Sequence, residues 1–241
     1  DEMSPSMTAD NRRLYFSSKR RTGMGGFDLY VCALFNDSAG GATMLEAPIN
    51  SVFNDYALAM SAIGGYACLS SDRPGGAGNI DIYSVPASAL PEQHVVVVRG
   101  SIERSDTNMR TVPWISVYSL DDSRPPIDVR VDDESGEYKT VVDLGHRYAL
   151  TSWETDAIIA TKIIDVVESE RGSMRTVSLN QVSVSDGAEV PLLMGAEDRR
   201  GSDAAMTHIE LRRIAEVLSA HPDLRVNVIL PASHEIGRAH V

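Results

Sequence analysis

The sequence predicts a mainly β, multidomain chain: a partial β-propeller, then a small β-sandwich, then a truncated α/β unit. Three observations predict this. Residues 1–34 align without gaps on residues 54–87 at an offset of 53, short apolar runs with turn formers between them fill 95–152, and the apolar period turns helical after Ser202.

The repeat carries the front of the chain. Matching pairs include Met7/Met60, Ala9/Ala62, Ser17/Ser70, Ser18/Ser71, Arg20/Arg73, Gly23/Gly76, Gly25/Gly78, Asp28/Asp81 and Tyr30/Tyr83. In each copy an apolar strand ends in Ser-Ser, a Gly-rich connection follows, and a second strand opens at Asp28-Leu29-Tyr30 or Asp81-Ile82-Tyr83. Glycine supplies the positive φ that tight turns need, and Ser and Asp satisfy turn amides. Because both Gly-rich segments lead into strands, they are not read as phosphate cradles, which use the amides and dipole of a helix N-terminus. Asp28 and Asp81 are read as turn and strand-pairing residues, not as paired catalytic acids. A repeat of about 50 residues holding several short strands has the size of a propeller blade.

Arg12-Arg13-Leu14-Tyr15-Phe16-Ser17-Ser18 followed by Gly25-Gly26-Phe27-Asp28-Leu29-Tyr30 resembles the blade motif of TolB-like propellers, as does Ser70–Tyr83. The segment Pro48-Ile49-Asn50-Ser51, then Asn54-Asp55-Tyr56, is similar to the linkers of such blades in Bacteroidetes-type envelope proteins. The resemblance implies two blades over residues 1–90. Two blades do not close a propeller, so the chain is expected to be a segment of a longer protein.

Pro86, Pro91 and the residues between them read as a linker. Strands are then expected at Val95–Ile102, Trp114–Tyr118, Ile127–Val131, Tyr138–Val142 and Tyr148–Ser152, separated by Asp121-Asp122-Ser123, Asp132-Asp133, Ser135-Gly136 and Gly145. This spacing argues for a sandwich. The pattern Asp132-x3-Gly136-x-Tyr138, then Leu144-Gly145-x2-Tyr148-x-Leu150, resembles the carboxypeptidase-regulatory-like domain, a transthyretin-like sandwich. That resemblance implies a spacer or adhesion module over residues 95–167, not a peptidase. The acidic clusters at Asp121-Asp122 and Asp132-Asp133-Glu134 lack the ligand spacing of a calcium loop and read as solvated turns.

Short strands are expected at Val177–Val184 and Val190–Met194. Ser202 then suits an N-cap, Met206, Ile209, Ile214, Val217 and Leu218 recur at helical spacing, and His221-Pro222 ends the helix. Leu224, Val226, Val228 and Leu230 alternate with polar residues as in a half-buried strand. The stretch from Ile209 to Val226 resembles the start of the OmpA-like C-terminal domain, placed at residues 175–241. That family binds the diaminopimelate of peptidoglycan with an acid after the strand and an Arg in an Arg-Ala pair. Here the acid's position falls on Ser233, and Arg238-Ala239 matches the pair only across a shortened segment, which makes Arg238 the candidate peptidoglycan-binding residue. His234-Glu235-Ile236-Gly237-Arg238 begins like a zinc-peptidase signature, but Arg238 stands where the second His is required, so the zinc reading fails.

Composition narrows the function class. A net charge of −12 opposes phosphate backbones and anionic lipid, and the basic patches at Lys19-Arg20-Arg21 and Arg212-Arg213 read as solvated surface, so no nucleic-acid partner is expected. No apolar run reaches the length of a membrane span. Cys32 and Cys68 lie in strand-like contexts and are expected as buried thiols, with a disulfide as the alternative in an oxidising compartment. There is no Gly-x-Ser-x-Gly elbow and no metal-spaced His/Cys cluster, so no catalytic role and no cofactor are expected. Propeller, regulatory-like sandwich and OmpA-like domain in that order resemble Bacteroidetes-type OmpA family envelope proteins. The resemblance implies a periplasmic, outer-membrane-associated scaffold with peptidoglycan and envelope proteins as partners and a place in type IX secretion. A carbohydrate- or peptide-binding module without a wall role is the alternative.

Overall fold

The computed structural model describes residues 1–36, 38–104, 110, 112–184 and 202–225. The described chain is mainly β, arranged in four sheets, with one α-helix among the described residues.

The first sheet is built on an antiparallel meander of β1 (Glu2–Met7), β2 (Arg13–Ser18) and β3 (Asp28–Phe35), with β4 (Ser38–Ala39) and β5 (Thr43–Met44) both pairing with β3. The second is a three-stranded meander of β6 (Asp55–Met60), β7 (Tyr66–Ser71) and β8 (Asp81–Pro86). Each strand of the second meander starts 53 residues after its counterpart in the first, so the sequence repeat is a structural repeat. The register repeats as well. Glu2 opposes Ser18, which opposes Asp28; Asp55 opposes Ser71, which opposes Asp81. Even the irregularity recurs, between Met3 and Ser6 in one copy and between Tyr56 and Leu58 in the other.

The repeated Gly and Asp residues make the same turn twice. Gly25 N–H donates to Asp28 Oδ2 at 3.2 Å, and Gly78 N–H donates to Asp81 Oδ2 at 2.9 Å. The turn folds so closely on the carboxylate that a Cβ on Gly23 or on Gly76 would stand 1.9 Å from that Oδ2. The two sheets share one core of Tyr15, Leu29, Leu45 and Ile49 against Leu58, Ala67, Leu69 and Val85. Burying each of the larger side chains contributes about 1.5–3 kcal/mol. Asn50 fastens the connection between the copies: it accepts from Leu29 N–H at 2.7 Å and donates to the carbonyls of Leu29 and Leu45.

Residues 87–94 are tied back onto both repeats. Gln93 accepts from Ala9 N–H at 2.7 Å and donates to Ser61 O at 2.9 Å, and His94 N–H donates to Asp10 Oδ2 at 3.1 Å.

Two further sheets follow. One runs β11 (Ile127–Arg130), β10 (Trp114–Ser119), β13 (His146–Thr151), β15 (Lys162–Val166). The other runs β12 (Glu137–Asp143), β9 (Val95–Arg104), β17 (Leu179–Ser183), β14 (Ala157–Ile159), with β16 (Met174–Thr176) also on β9. Their inner faces contribute to a single core, with Val96, Val98 and Ile102 from β9 meeting Ile115, Val117 and Leu150 from the other sheet. The run Val95–Val98 is buried throughout, and both edges of β9 are paired, with β12 on one edge and β16 and β17 on the other.

Residues 174–183 do not open a new unit after position 175. They run parallel to β9, Met174 opposite Val97 and Leu179 opposite Ile102, and so belong with the strands before them. Gly100 makes this passage feasible. A Cβ there would lie 1.8 Å from Val177 O, the carbonyl that also accepts the hydroxyl of Tyr138.

The helix α1 (Ser202–Ala220) covers the expected span and stops before Pro222. It buries Met206 and Ile209 against Leu120 and Ala149, with Tyr118 and Trp153 packed alongside. The strands expected at 190–194 and beyond 225 lie outside the described residues.

Candidate functional site

The repeat builds a polar interlock around an arginine. In the second copy Arg73 Nη2 lies 2.5 Å from Asp55 Oδ1 and donates to Ile49 O at 2.8 Å, while Nη1 donates to Pro48 O at 3.1 Å. The guanidinium therefore clamps the connection that arrives from the first copy. Asp55 is fully buried, and its carboxylate also accepts Ser71 Oγ at 2.6 Å and the amide and hydroxyl of Ser51. The ring of Tyr83 lies 5.4 Å from the guanidinium, and its hydroxyl donates to Arg73 O at 2.5 Å.

The first copy holds the same parts in a looser form. Arg20 Nη2 lies 3.7 Å from Glu2 Oε1, Ser18 Oγ donates to that oxygen at 3.2 Å, and the guanidinium sits 5.1 Å from the Tyr30 ring and 5.8 Å from that of Phe16. No carbonyl pair meets Arg20 among the described residues. The side chains of Arg20 and Glu2 are 44% and 56% exposed, against 18% and 0% for Arg73 and Asp55. Arg73 is thus an interlock residue, whereas Arg20 stays exposed at the surface beside Glu2 and the Phe16 and Tyr30 rings.

On the middle part of the chain an open groove of about 950 Å³ lies over β9, β12 and β16. Its floor places Arg99 directly opposite Lys139, and its lining also includes Arg130, Asp133, Glu134 and Glu137. Like charges opposed across a strand pair repel. Among the described residues neither Arg99 nor Lys139 has an ion-pair partner, although the chain as a whole is strongly acidic. At the rim, Asp132 accepts Ser135 N–H at 2.7 Å, the Ser135 hydroxyl at 2.8 Å and Glu134 N–H at 3.1 Å. These bonds hold its carboxyl below the usual range. Asp132 is therefore committed to its own turn. In the other acidic cluster Asp122 pairs with Arg124 at 2.7 Å, and Asp121 lies 3.6 Å from Arg147 Nε.

The helix brings a second arginine inside. Arg213 is 2% exposed, so the solvated reading of Arg212-Arg213 is corrected for that residue. Its Nη2 lies 2.6 Å from Glu210 Oε2, and its Nη1 donates to Ile159 O, which joins α1 to β14. Arg212 stays outside, 5.3 Å from the Trp153 ring and paired with Glu216 at 3.2 Å. The helical period marks the buried face, but Arg213 breaks its apolar pattern, so the pattern alone does not place an ion pair there.

Cys32 is buried, Cys68 is half-buried, and both are free thiols. Arg238, together with Ser233, His234 and His240, lies outside the described residues. Among the described residues no group of three or more His, Cys, Asp and Glu side chains is arranged to hold a metal ion. No described helix is long and apolar enough to cross a membrane. The arginines of the repeat were visible in the sequence as the pair Arg20/Arg73; the signal for their role was the acid pair Glu2/Asp55 at the same offset.

A scan against protein-family models finds no match, and a search of curated proteins finds none either.

Proposed function

We propose that the chain is a non-catalytic scaffold of the bacterial cell envelope, periplasmic and associated with the outer membrane. In this reading residues 1–90 are two TolB-like propeller blades that bind envelope proteins. The two-sheet part from Val95 is a carboxypeptidase-regulatory-like sandwich acting as a spacer. The segment that contains α1 belongs to an OmpA-like domain that associates with peptidoglycan through Arg238, and type IX secretion is the process the assembly would serve. The observation that carries the reading is the structural repeat: two β meanders, identical in strand spacing and register, stacked on a shared core. Stacked repeats of this kind present extended surfaces to protein partners. Fractionation of cells that express the native protein tests the reading. Recovery with the outer membrane and wall supports it, and a cytoplasmic pool free of wall contradicts it.

The alternative, a carbohydrate- or peptide-binding module with no wall role, is favoured by one feature, the Arg99–Lys139 pair on the groove floor, which has no ion-pair partner among the described residues. Two adjacent cations suit a carboxylate on a sugar or a peptide. Titration with polygalacturonate and with an acidic peptide, beside the variant Arg99→Ala/Lys139→Ala, tests it. Binding that the double variant abolishes supports this alternative; no binding to either probe rejects it.

A further inference from the structure

We infer that the pair of repeats and the two-sheet part from Val95 form one rigid body, held by a locked joint at Pro91–His94 with Arg171 as its outer strut. The inference concerns how the two parts are held, and it stands whatever the chain binds.

The sequence marks Pro86–Pro91 as a linker, and neighbouring units of a chain move relative to one another by default. Here no segment is left for that motion. Leu90 is 5% exposed and belongs to the core that the repeats share, whereas Val95 opens β9 and is fully buried. Every residue between them is held. The ring of Pro91 fixes its φ. Glu92 O accepts from Arg13 Nη1 at 3.0 Å. Gln93 is 8% exposed and spans both repeats through Ala9 N–H and Ser61 O. His94 is the turning point: its N–H donates to Asp10 Oδ2 in the first repeat, and its carbonyl accepts Leu144 N–H at 3.1 Å in the two-sheet part. One residue is thus bonded to both parts, and no unbonded peptide remains between them as a pivot.

The loop after β15 closes over the same joint. Arg171 Nη1 lies 2.7 Å from Glu92 Oε2 and its Nη2 lies 2.8 Å from Glu168 Oε2, so one guanidinium ties the joint to the loop. Gly172 N–H donates to Val95 O at 3.0 Å. Its backbone comes so near the second repeat that a Cβ there would lie 3.5 Å from Ile63 O, and its φ of +62° is one that glycine adopts without strain. Either ion pair alone is exposed and weak. The arrangement is what resists bending. The joint and the loop touch the first repeat through Ala9 and Asp10 and the second through Ser61 and Ile63, so pivoting the two-sheet part breaks contacts with one repeat or the other. A partner held by the repeats is thereby presented at a fixed angle to the two-sheet part.

Pulsed electron paramagnetic resonance on the full chain tests this. Spin labels are placed at Ser84 on β8 and Lys139 on β12, both exposed strand positions, in a Cys32→Ala/Cys68→Ser background. Labels at Lys139 and Lys162 on β15 give the width for a pair within one part. The expected result is a single Ser84–Lys139 distance with a distribution as narrow as that of the control pair. The triple variant Asp10→Ala/Gln93→Ala/Arg171→Ala should broaden it roughly two-fold or more and leave the control pair unchanged. Several distances in the parent, or a distribution about twice as broad as the control, overturn the inference whether or not the triple variant folds. A folded triple variant as narrow as the parent overturns the assignment of the lock to these residues.

Discussion

Arg73 reaches from the start of one Gly-rich turn to Asp55 on β6, with Nη2 2.5 Å from Oδ1, and the same guanidinium holds the carbonyls of Pro48 and Ile49. One side chain thus joins three segments of the second repeat and its connection. Because Asp55 is fully buried, Arg73→Ala leaves a buried carboxylate without its cation. Breaking such a pair from one side destabilises by about 3–5 kcal/mol. Urea unfolding is expected to show this loss, with Arg20→Ala costing less than about 1 kcal/mol because its pair is largely exposed.

The two Gly-to-Ala changes at the turns are both expected to destabilise, for partly different reasons. Each would put a Cβ 1.9 Å from a carboxylate oxygen. Asp28 is fully buried and has no room to withdraw. Asp81 is partly exposed, but the new Cβ would also stand 2.5 Å from its Cγ and 2.8 Å from its Cβ, which side-chain rotation does not relieve. Gly23→Ala and Gly76→Ala are each expected to destabilise by roughly 1–3 kcal/mol, measured as a pair in denaturant titrations, and a change of less than about 0.5 kcal/mol in either would reject the close packing of its turn.

Detachment of the helix is expected from Arg213→Ala, which strands Glu210 in the interior with Oε1 already unpartnered. The loss is again about 3–5 kcal/mol for the contact, while the double replacement Glu210→Leu/Arg213→Met restores much of it. Trp153 reports the event, since its Nε1–H donates to Tyr118 OH at 2.7 Å beside the helix. Its fluorescence should shift to the red in the single variant and return in the double.

Acid should weaken the tie between the first repeat and the linker. Burial alone would raise the Asp10 carboxyl, but the Thr8 hydroxyl and the amides of Arg12 and His94 outweigh it and hold the group below its usual value. A carboxyl lowered in the folded state stabilises above its unfolded value and loses that contribution as pH falls through the folded one. The stability of the wild type is therefore expected to drop below about pH 4, and Asp10→Asn should start lower and show a smaller drop over the same range. A drop of equal size in both would reject this role for Asp10.

Much of the β architecture was legible. The offset of 53 located β1–β3 and β6–β8 because the same turn chemistry recurs at Gly23/Asp28 and Gly76/Asp81, and five strands from Val95 to Thr151 follow alternation and turn residues. The strands Ala157–Ile159 and Lys162–Val166 were missed. They are short, and β15 mixes Lys162 and Asp165 with apolar residues near a sheet edge, which weakens the alternation. The assignment of residues 174–183 to the sheet of β9 was not legible either. Parallel pairing across a long separation leaves no local signal, and Gly100, which permits it, reads in sequence only as a weak point in a strand. The candidate interlock was half visible: the pairs Arg20/Arg73 and Glu2/Asp55 both recur at the offset of 53, but nothing in the sequence marks Asp55 as buried and Glu2 as exposed.

The central claim, that the chain is a scaffold docked on the wall, is tested most directly by co-sedimentation of the protein with purified peptidoglycan beside Arg238→Ala. The scaffold account predicts pelleting of the wild type that weakens at least several-fold in the variant. Wild-type protein that stays in the supernatant, or an Arg238→Ala variant that pellets equally, would contradict it.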